Sequence, residues 1–545
     1  MRIPVARCSL ALATALAIAG CYDDGPFNAL QRGDDEPAAT TSTTGGDATT
    51  SGDASVGSDG GADTSASAGP FDLGIDPSPL DAPPTIESFT ISPGKLTQAG
   101  AITFHLEASS DAVEVELVRQ TSLAGDGETI ALVAPDDFPR EHVIASMREN
   151  GAHTYWAIVR DASGLEARAS AGVTVEVPDI GKEVWSWEGE QPSTEVFGVA
   201  PLDDGAVVVG HVFTPDGPRP RVTGINSAGG IAWEDEPVDA FGYASAVVVR
   251  PGEDIIVIGN RYKGVGLKQA MWMRRYTLDG ERVDGWGDDG LTGERALGIG
   301  LDDAGGIVVT GDYLSSSAIK RDLKVWAYDS AGMSRWSEIW ARDNYNPNSE
   351  SDEQGYAVVA KPGGSMIIAG RTSTFVENEQ IDTVYHRALV IEVSEIGFFG
   401  EMWINEDDFE SELHAIAWID GDVVVGGRAV AGPGDPPQGV VWRLQPDLEI
   451  ARWREAVTLA TADAAVEGVG LTHYGEVIAA ATTGGQLHAV RLTGDGEVSW
   501  QTALTNDGGP DKVGALALDP HGYIHVAGRV TIAGELFAYA RKMTP

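Results

Sequence analysis

His521 and His525 stand four residues apart in "HGYIH", the spacing at which two imidazoles on a helix can share one metal ion. Their surroundings argue for another geometry. "DPHG" is a turn and "YIHVAG" alternates like a strand, and along a strand at ~3.3 Å per residue the two rings stand ~13 Å apart. The pair is expected to be a turn histidine and a strand histidine. Ser317 and Lys320 in "SAIK" match the Ser-x-x-Lys spacing of a nucleophile and its base, but the segment lies between strands, without the helix that aligns such a pair. Gly468 and Gly470 in "GVGLTHYG" have the look of a nucleotide loop and fit better as small residues of a strand. The acidic stretches "DNYNPNSESDE" (343–353) and "NEDDFESE" (405–412) offer alternating carboxylate and amide oxygens, the hard donors that calcium takes. Neither has the glycine and glutamate spacing of a calcium loop, so both are expected to be solvated acidic loops. Calcium is the one cofactor these residues suggest; none is predicted, and no catalytic residue is assigned.

The balance of charge narrows the partners. The formal net charge is −45, with no basic stripe, which repels phosphate backbones and anionic lipid headgroups; no nucleic acid is expected. Basic proteins, divalent cations and neutral glycans stay open. Cys8 and Cys21 are the two cysteines of the chain, so nothing beyond residue 21 forms a disulfide, a CxxC pair or a cysteine-ligated zinc site. Arg2 and Arg7 flank the start of a chain whose next segment, "SLALATALAIAG", is apolar but short for a membrane span. Its end, "IAGC" (18–21), resembles the lipobox of bacterial lipoproteins. That resemblance implies a signal peptide over 1–20, acylation of Cys21 and attachment to a membrane through the lipid anchor. Tyr22 stands where an Asp favours retention at the inner membrane. The resemblance therefore implies the outer membrane of the cell envelope, facing the periplasm or the outside.

Residues 28–70 contain no aromatic side chain, and Thr, Ser, Gly, Ala and Asp dominate them. Such a segment cannot bury a core, so 21–82 is expected to be a disordered tether. Seven short alternating runs follow within 83–178: "TIESFTI", "AITFHLEA", "AVEVELVR", "TIALVA", "HVIASM", "HTYWAIVRD" and "AGVTVEV". Polar or glycine-bearing turns separate them, the pattern of a β-sandwich. "TYWAIVRDASGLEARAS" followed by "VTVEV" resembles the closing strands of bacterial immunoglobulin-like or fibronectin-like domains. With no disulfide to pin it, Trp156 and the aliphatic faces are expected to make its core. Such modules commonly serve as spacers.

Residues 183–545 repeat. Each unit opens with a strand carrying a small residue: Gly198, Ala246, Gly298, Ala357, Ala415, Gly468 or Ala515. A short turn follows, then a β-branched strand usually closed by glycine, as in "AVVVG", "IIVIG" and "IVVTG". A third strand leads through a tight turn to tryptophan: Trp187, Trp233, Trp286, Trp336, Trp403, Trp453 and Trp500. From Trp187 to Trp500 is six steps of about 52 residues each, the length of a four-stranded propeller blade. The fold expected is all-β, a seven-bladed β-propeller preceded by the immunoglobulin-like β-sandwich. The last unit stops after its third strand, so "EVWSW" (183–187) is expected to supply the fourth and leave no open edge. The tryptophans then fill the wedge where blades diverge, and the small residues let blades crowd near the axis. "TGDGEVSW" (493–500) and its counterparts resemble the tryptophan-docking repeats of quinoprotein-like (PQQ-like) propellers. The "G-x-I-x-V-x-G" strands are similar to bacterial surface propeller repeats.

Three functions follow from these readings. The quinoprotein resemblance implies a dehydrogenase, but its methanol-dehydrogenase type uses calcium and a vicinal cysteine pair, and this sequence has no such pair. The soluble sugar-dehydrogenase type has no such need. An envelope-assembly factor is the second reading, because outer-membrane-protein assembly includes a lipoprotein with a PQQ-like propeller. The reading favoured by the residues is non-catalytic binding or scaffolding. Connections between second and third strands and between blades are long, whereas the other turns are short, and in an up-and-down blade the two long classes emerge on one face. That face is expected to take a protein or glycan ligand. The inner-strand residues Glu195, Tyr243, Arg295, Gln354, Glu412, Ala465 and Lys512 are expected to ring the channel mouth there.

Overall fold

The computed structural model describes residues 82–545, apart from 121–126, 145–148, 204, 239–240, 264–267, 288–289, 291, 315–320, 343–351, 377–382, 420, 449–450, 458–463, 473 and 505–510. The expected signal peptide, Cys21 and residues 22–81 of the expected tether lie outside the described residues.

Residues 86–175 build two facing sheets. Ile86–Ser92, Gly100–Ala108 and Arg140–Ile144 form one; Lys95–Leu96, Glu166–Val175, Gly151–Asp161, Ala112–Gln120 and Gly127–Val133 form the other. Alternation along each strand decides what faces inward. Ile102, Phe104, Val115, Leu117, Tyr155, Ala157 and Val159 are fully buried in one cluster, with the Phe104 and Tyr155 rings edge-on at 5.1 Å. Trp156 does not join that core. One residue past Tyr155, it projects from the opposite face, where its indole N–H donates to Gln120 Oε1 at 3.3 Å. The period of two gives the aromatic core to Tyr155 and Phe104.

The remaining strands form seven antiparallel sheets, the blades of a β-propeller. Their first strands are Thr194–Leu202, Gly242–Arg250, Glu294–Leu301, Gln354–Ala360, Glu410–Ile419, Ala464–Leu471 and Lys512–Leu518, for blades 1 to 7. First strands of neighbouring blades touch one another and make the inner wall. In blade 7 the fourth strand is Glu183–Glu188, antiparallel to Glu535–Met543, with Trp187 opposite Ala540 and Trp185 opposite Lys542. Early and late segments are thereby laced into one sheet. Blade 2 departs from the four-strand expectation: among the described residues it has three. A single bridge from Tyr276 to Arg282 replaces its outer strand. Gly285 and Gly287 flank Trp286 at φ +72° and +125°, a backbone that cannot continue a pleated ladder.

Tryptophans pack between blades. A Cβ on Gly280 would meet the Trp233 ring at 2.1 Å, and one on Gly332 the Trp286 ring at 2.4 Å, so each outer turn receives the indole of the preceding blade. The indole N–H groups of Trp286, Trp336 and Trp453 donate to Ala331 O at 2.6 Å, Glu395 O at 2.7 Å and Gly494 O at 3.0 Å in those next turns. At the closure the register shifts the series by two. Trp185, rather than Trp187, packs toward the next turn, its Cβ 3.2 Å from where a Cβ on Gly229 would stand.

Candidate functional site

Every inner strand carries a one-residue bulge at the same place. The pairing register slips between Val196 and Gly198, Ala244 and Ala246, Ala296 and Gly298, Gly355 and Ala357, Leu413 and Ala415, Val466 and Gly468, and Val513 and Ala515. The residues pushed out of the ladder are Phe197, Ser245, Leu297, Tyr356, His414, Glu467 and Gly514. A bulge re-aims its side chain, and its cause here lies one strand over. A Cβ on Gly311 would stand 1.9 Å from Arg295 O, and one on Gly427 1.9 Å from Glu412 O. The glycine that closes the second strand gives the displaced inner strand its room; blade 6 makes do with Ala481 opposite Val466.

The bulge residues of blades 4, 5 and 6 meet one another, and those of blades 2 and 7 reach the inner-strand backbone of the next blade. The Tyr356 and His414 rings lie edge-on at 5.7 Å, His414 Nδ1 is 2.7 Å from Glu467 Oε2, and Ser245 Oγ donates to Ala296 O at 2.8 Å. A Cβ on Gly514 would fall 2.0 Å from Val196 O in blade 1.

The residues expected at the channel mouth lie two positions earlier on the same strands. Glu195, Tyr243, Arg295, Gln354 and Glu412 are each less than a tenth exposed, while Ala465 and Lys512 are half-buried. The five buried ones have side-chain partners inside the wall. Arg295 Nε donates to Asp312 Oδ2 at 2.9 Å, and Arg321 reaches the other oxygen at 2.6 Å. Glu195 pairs with Arg529, and Gln354 accepts from the Tyr356 hydroxyl. Arg371 and Arg428 hold Glu412 at 3.1 and 2.6 Å. The sequence reading missed the bulge residues. Its signal was the closing glycine of the second strand, visible in the repeat but not connected to a bulge.

Charge is concentrated in blades 4 to 6. His414 lies between Glu412 at 3.1 Å and Glu467 at 2.7 Å. Burial alone would lower the imidazole, but the Glu467 and Glu412 carboxylates outweigh it and hold the group up at about 9. Burial likewise opposes ionisation of Glu412, yet Arg428, His414 and Arg371 keep it well below the usual carboxylate range. Glu467 is lowered as well, by His414 and Lys512 against burial. With its pKa held at about 9, His414 is a cation at neutral pH, ion-paired on either side with Glu412 and Glu467. His211, opposite Glu195, behaves oppositely. Burial pushes it down to about 4, with Glu195 resisting and Arg529 assisting.

The other singled-out residues do not converge on a site. His525 is buried and 3.5 Å from Asp519 Oδ2, whereas His521 is exposed in the turn, as a turn–strand pair requires. Gly468 and Gly470 abut Leu516 and Leu518 of the next inner strand. Ser317, Lys320 and 343–351 lie outside the described residues. The stretch 405–412 is exposed at Glu406 and Asp407, as a solvated loop would be, but the rest of it is buried or half-buried. Asn405, Asp408, Ser411 and Glu412 are buried; Asn405 Nδ2 donates to Asp408 Oδ2 at 2.7 Å and to Ser411 Oγ at 3.0 Å, and Arg454 reaches Asp408 at 3.0 Å. Its polar groups cap one another, which is how an acidic sequence can go inside. Among the described residues no group of three or more His, Cys, Asp or Glu is placed to hold a metal ion.

The face with long connections is also uneven. Second and third strands are joined by only 215–216, 484–485 and 533–534 in blades 1, 6 and 7, but by 264–267, 315–320, 377–382 and 431–437 in blades 2 to 5. "VFTPDGPRP" is mostly strand.

No protein-family model and no curated protein matches the chain. Among solved structures it is similar to Drosophila Plexin A in complex with Semaphorin 1b, at 8% identity and a TM-score of 0.40, over 67% of this chain and 87% of that one. It is similar to a europium-containing methanol dehydrogenase at 11% identity and a TM-score of 0.37, over 71% and 87%. It is similar to the β-propeller domain of the Trilobed protease from Pyrococcus furiosus at 8% identity and a TM-score of 0.39, over 64% and 94%. Likenesses this distant carry nothing about ligand or reaction; the sheets themselves make the chain a propeller.

Proposed function

We propose that the chain is a cell-envelope lipoprotein whose propeller binds a protein or glycan on its long-connection face and catalyses no reaction. The observation that carries this reading is the pairing of the axial belt. Glu412, His414, Glu467, Arg371, Arg295 and Asp312 are engaged with opposite charges, so they brace the wall and do not cycle protons. Above a braced wall, the longer connections of blades 2 to 5 are the segments to which recognition is assigned, the division of labour expected of a binding scaffold. The net charge of −45 favours a cationic or neutral ligand over an anionic one. Anchoring through Cys21 at the outer membrane, with the 83–178 sandwich as an immunoglobulin-like spacer, rests on the "IAGC" and strand-pattern resemblances.

The test uses the purified full-length chain with an oligolysine peptide and a panel of neutral glycans. Replacing 431–437 by a two-residue turn is expected to weaken capture while leaving the melting temperature unchanged, and capture of oligolysine is expected to fall as salt rises. Undiminished capture of every probe by the trimmed chain contradicts the placement.

A further inference from the structure

The rim of the propeller belongs neither to the long-connection face nor to the closed face opposite it, where Tyr523 of blade 7 donates to Ala99 O of the sandwich at 3.2 Å. The outer strands of blades 3 and 4, Ser334–Trp340 and Phe399–Ile404, lie on that rim. The turn leading into Phe399–Ile404 carries Ile396 and Phe398, 63% and 71% exposed, and Met402 follows on the strand at 44%. Gly397, between the first two, closes the turn onto blade 3: a Cβ there would stand 3.0 Å from Glu338 Cγ and 3.1 Å from the Trp336 ring. Met402 lies opposite Ile391, hence on the same side of the sheet. Ile391 packs in the seam with Trp336, Trp340 and Phe399. The exposed side chains are the outer lip of one apolar seam between blades 3 and 4.

Two features leave this lip unfinished. Among the described residues Phe399–Ile404 pairs only with Thr383–Val393, so its outer edge is without a ladder partner there. Edge strands are ordinarily blunted by charge. The outer strand of blade 5, Ala451–Ala456, shows that solution, with Arg452 and Arg454 held by Asp422 and Asp408 at 2.9 and 3.0 Å. Phe399–Ile404 has a single charged residue, Glu401. The second feature is uncompensated charge. Glu338, Glu395 and Glu401 are exposed, and among the described residues none of their carboxylates has an ion pair or a hydrogen bond.

We propose that this lip is the docking site for an extended segment of a partner protein that alternates apolar and basic side chains and adds to Phe399–Ile404 as a further strand of blade 4. Successive side chains of a strand point to opposite sides. Apolar ones then cover Met402 and its seam, with Phe398 at the end of the strip, while a basic one meets Glu401 on the other side. Main-chain hydrogen bonds supply affinity and the side chains select the partner. Charge decides among occupants. A second copy facing this one across a two-fold axis would bring the same carboxylates against themselves, and anionic lipid is repelled. A cationic segment is attracted. The rim rests on residues other than those of the binding face proposed above.

The purified full-length chain is titrated with a fluorescein-labelled eight-residue peptide alternating Val and Lys, read by anisotropy. The alternating Val–Glu peptide and a Val–Lys peptide methylated at every backbone nitrogen are the controls. Saturable binding is expected for the unmodified Val–Lys peptide alone, weakening as salt rises, because one control reverses the charge and the other removes the ladder donors. Phe398→Ser is expected to weaken it about 10-fold or more, the worth of a large apolar contact. Met402→Lys is expected to abolish it by placing charge on the edge. Both positions are exposed, and unfolding midpoints are expected to stay unchanged. Replacing 431–437 by a two-residue turn is expected to leave binding intact, and sedimentation is expected to be the same for wild type and Phe398→Ser. No saturable binding of the Val–Lys peptide, equal binding of either control, wild-type affinity in the rim variants, loss on trimming 431–437, or a dimer that Phe398→Ser dissociates overturns the proposal.

Discussion

His414 shows how one residue type acquires two meanings in one wall. A histidine on a strand is ordinarily a satisfied core group or a general base; held between Glu412 and Glu467 it is a structural cation. Its folded pKa of about 9 lies above the ordinary 6.5. Its contribution to stability is therefore fully present below about 6.5 and lost as pH rises through about 9. Glu412 works the other way: its carboxyl lies well below the ordinary 4.5, so its contribution is present above that value and lost on acidification. Melting temperature is expected to fall between pH 6.5 and 9, and His414→Gln is expected to flatten that limb. The same variant is expected to be less stable by about 3–5 kcal/mol at neutral pH, because it strips charge compensation from buried carboxylates. Parallel pH profiles for variant and wild type would count against this role. Inner-strand positions such as Glu412 were legible from the repeat, since the small residue and the strand start mark them. Their burial and their partners were not, because Arg371 and Arg428 come from the adjacent strands of two different blades and no spacing along the chain reveals them.

At the scale of elements, period-two alternation and glycine placement made most strands readable. The same signals misled where chain geometry overrode composition. "NEDDFESE" reads as a solvated loop by charge alone, yet Asn405, Asp408 and Ser411 cap one another inside the blade 4–5 connection while Glu406 and Asp407 face outward. Asn405→Ala is accordingly expected to cost about 1–3 kcal/mol by removing its buried hydrogen bonds to Asp408 and Ser411, measurable by urea unfolding; a change near zero contradicts the buried turn. Among the described residues blade 2 has its tryptophan but lacks its outer strand, where Gly285 and Gly287 turn the backbone away from the ladder. The closing strand Glu183–Glu188 brings Trp185 and Trp187 into the junction of blades 7 and 1. Truncating either indole to Ala is expected to cost about 3–5 kcal/mol. Gly427→Ala, which places a methyl group 1.9 Å from Glu412 O, is expected to cost about 1–3 kcal/mol as overpacking. Wild-type unfolding midpoints in these variants would contradict the packing assigned to them.

For the whole molecule, the sandwich and propeller share contacts through Tyr523 and Tyr474, a fusion that strand patterns alone could not disclose, because the two tyrosines sit in turns that look like ordinary polar connections. A single cooperative unfolding transition is expected, with Tyr523→Ala splitting it in two or broadening it. Among the described residues the fusion covers part of the closed face, and the proposed ligand is assigned to the opposite one. The most direct measurement is site-specific photo-crosslinking of the full-length chain in intact cells, from Asp435 in the blade 5 connection and from Glu253 in a closed-face turn, both exposed. The account predicts a discrete partner adduct from position 435 and none from 253. The same adduct from position 253, with none from 435, would contradict it.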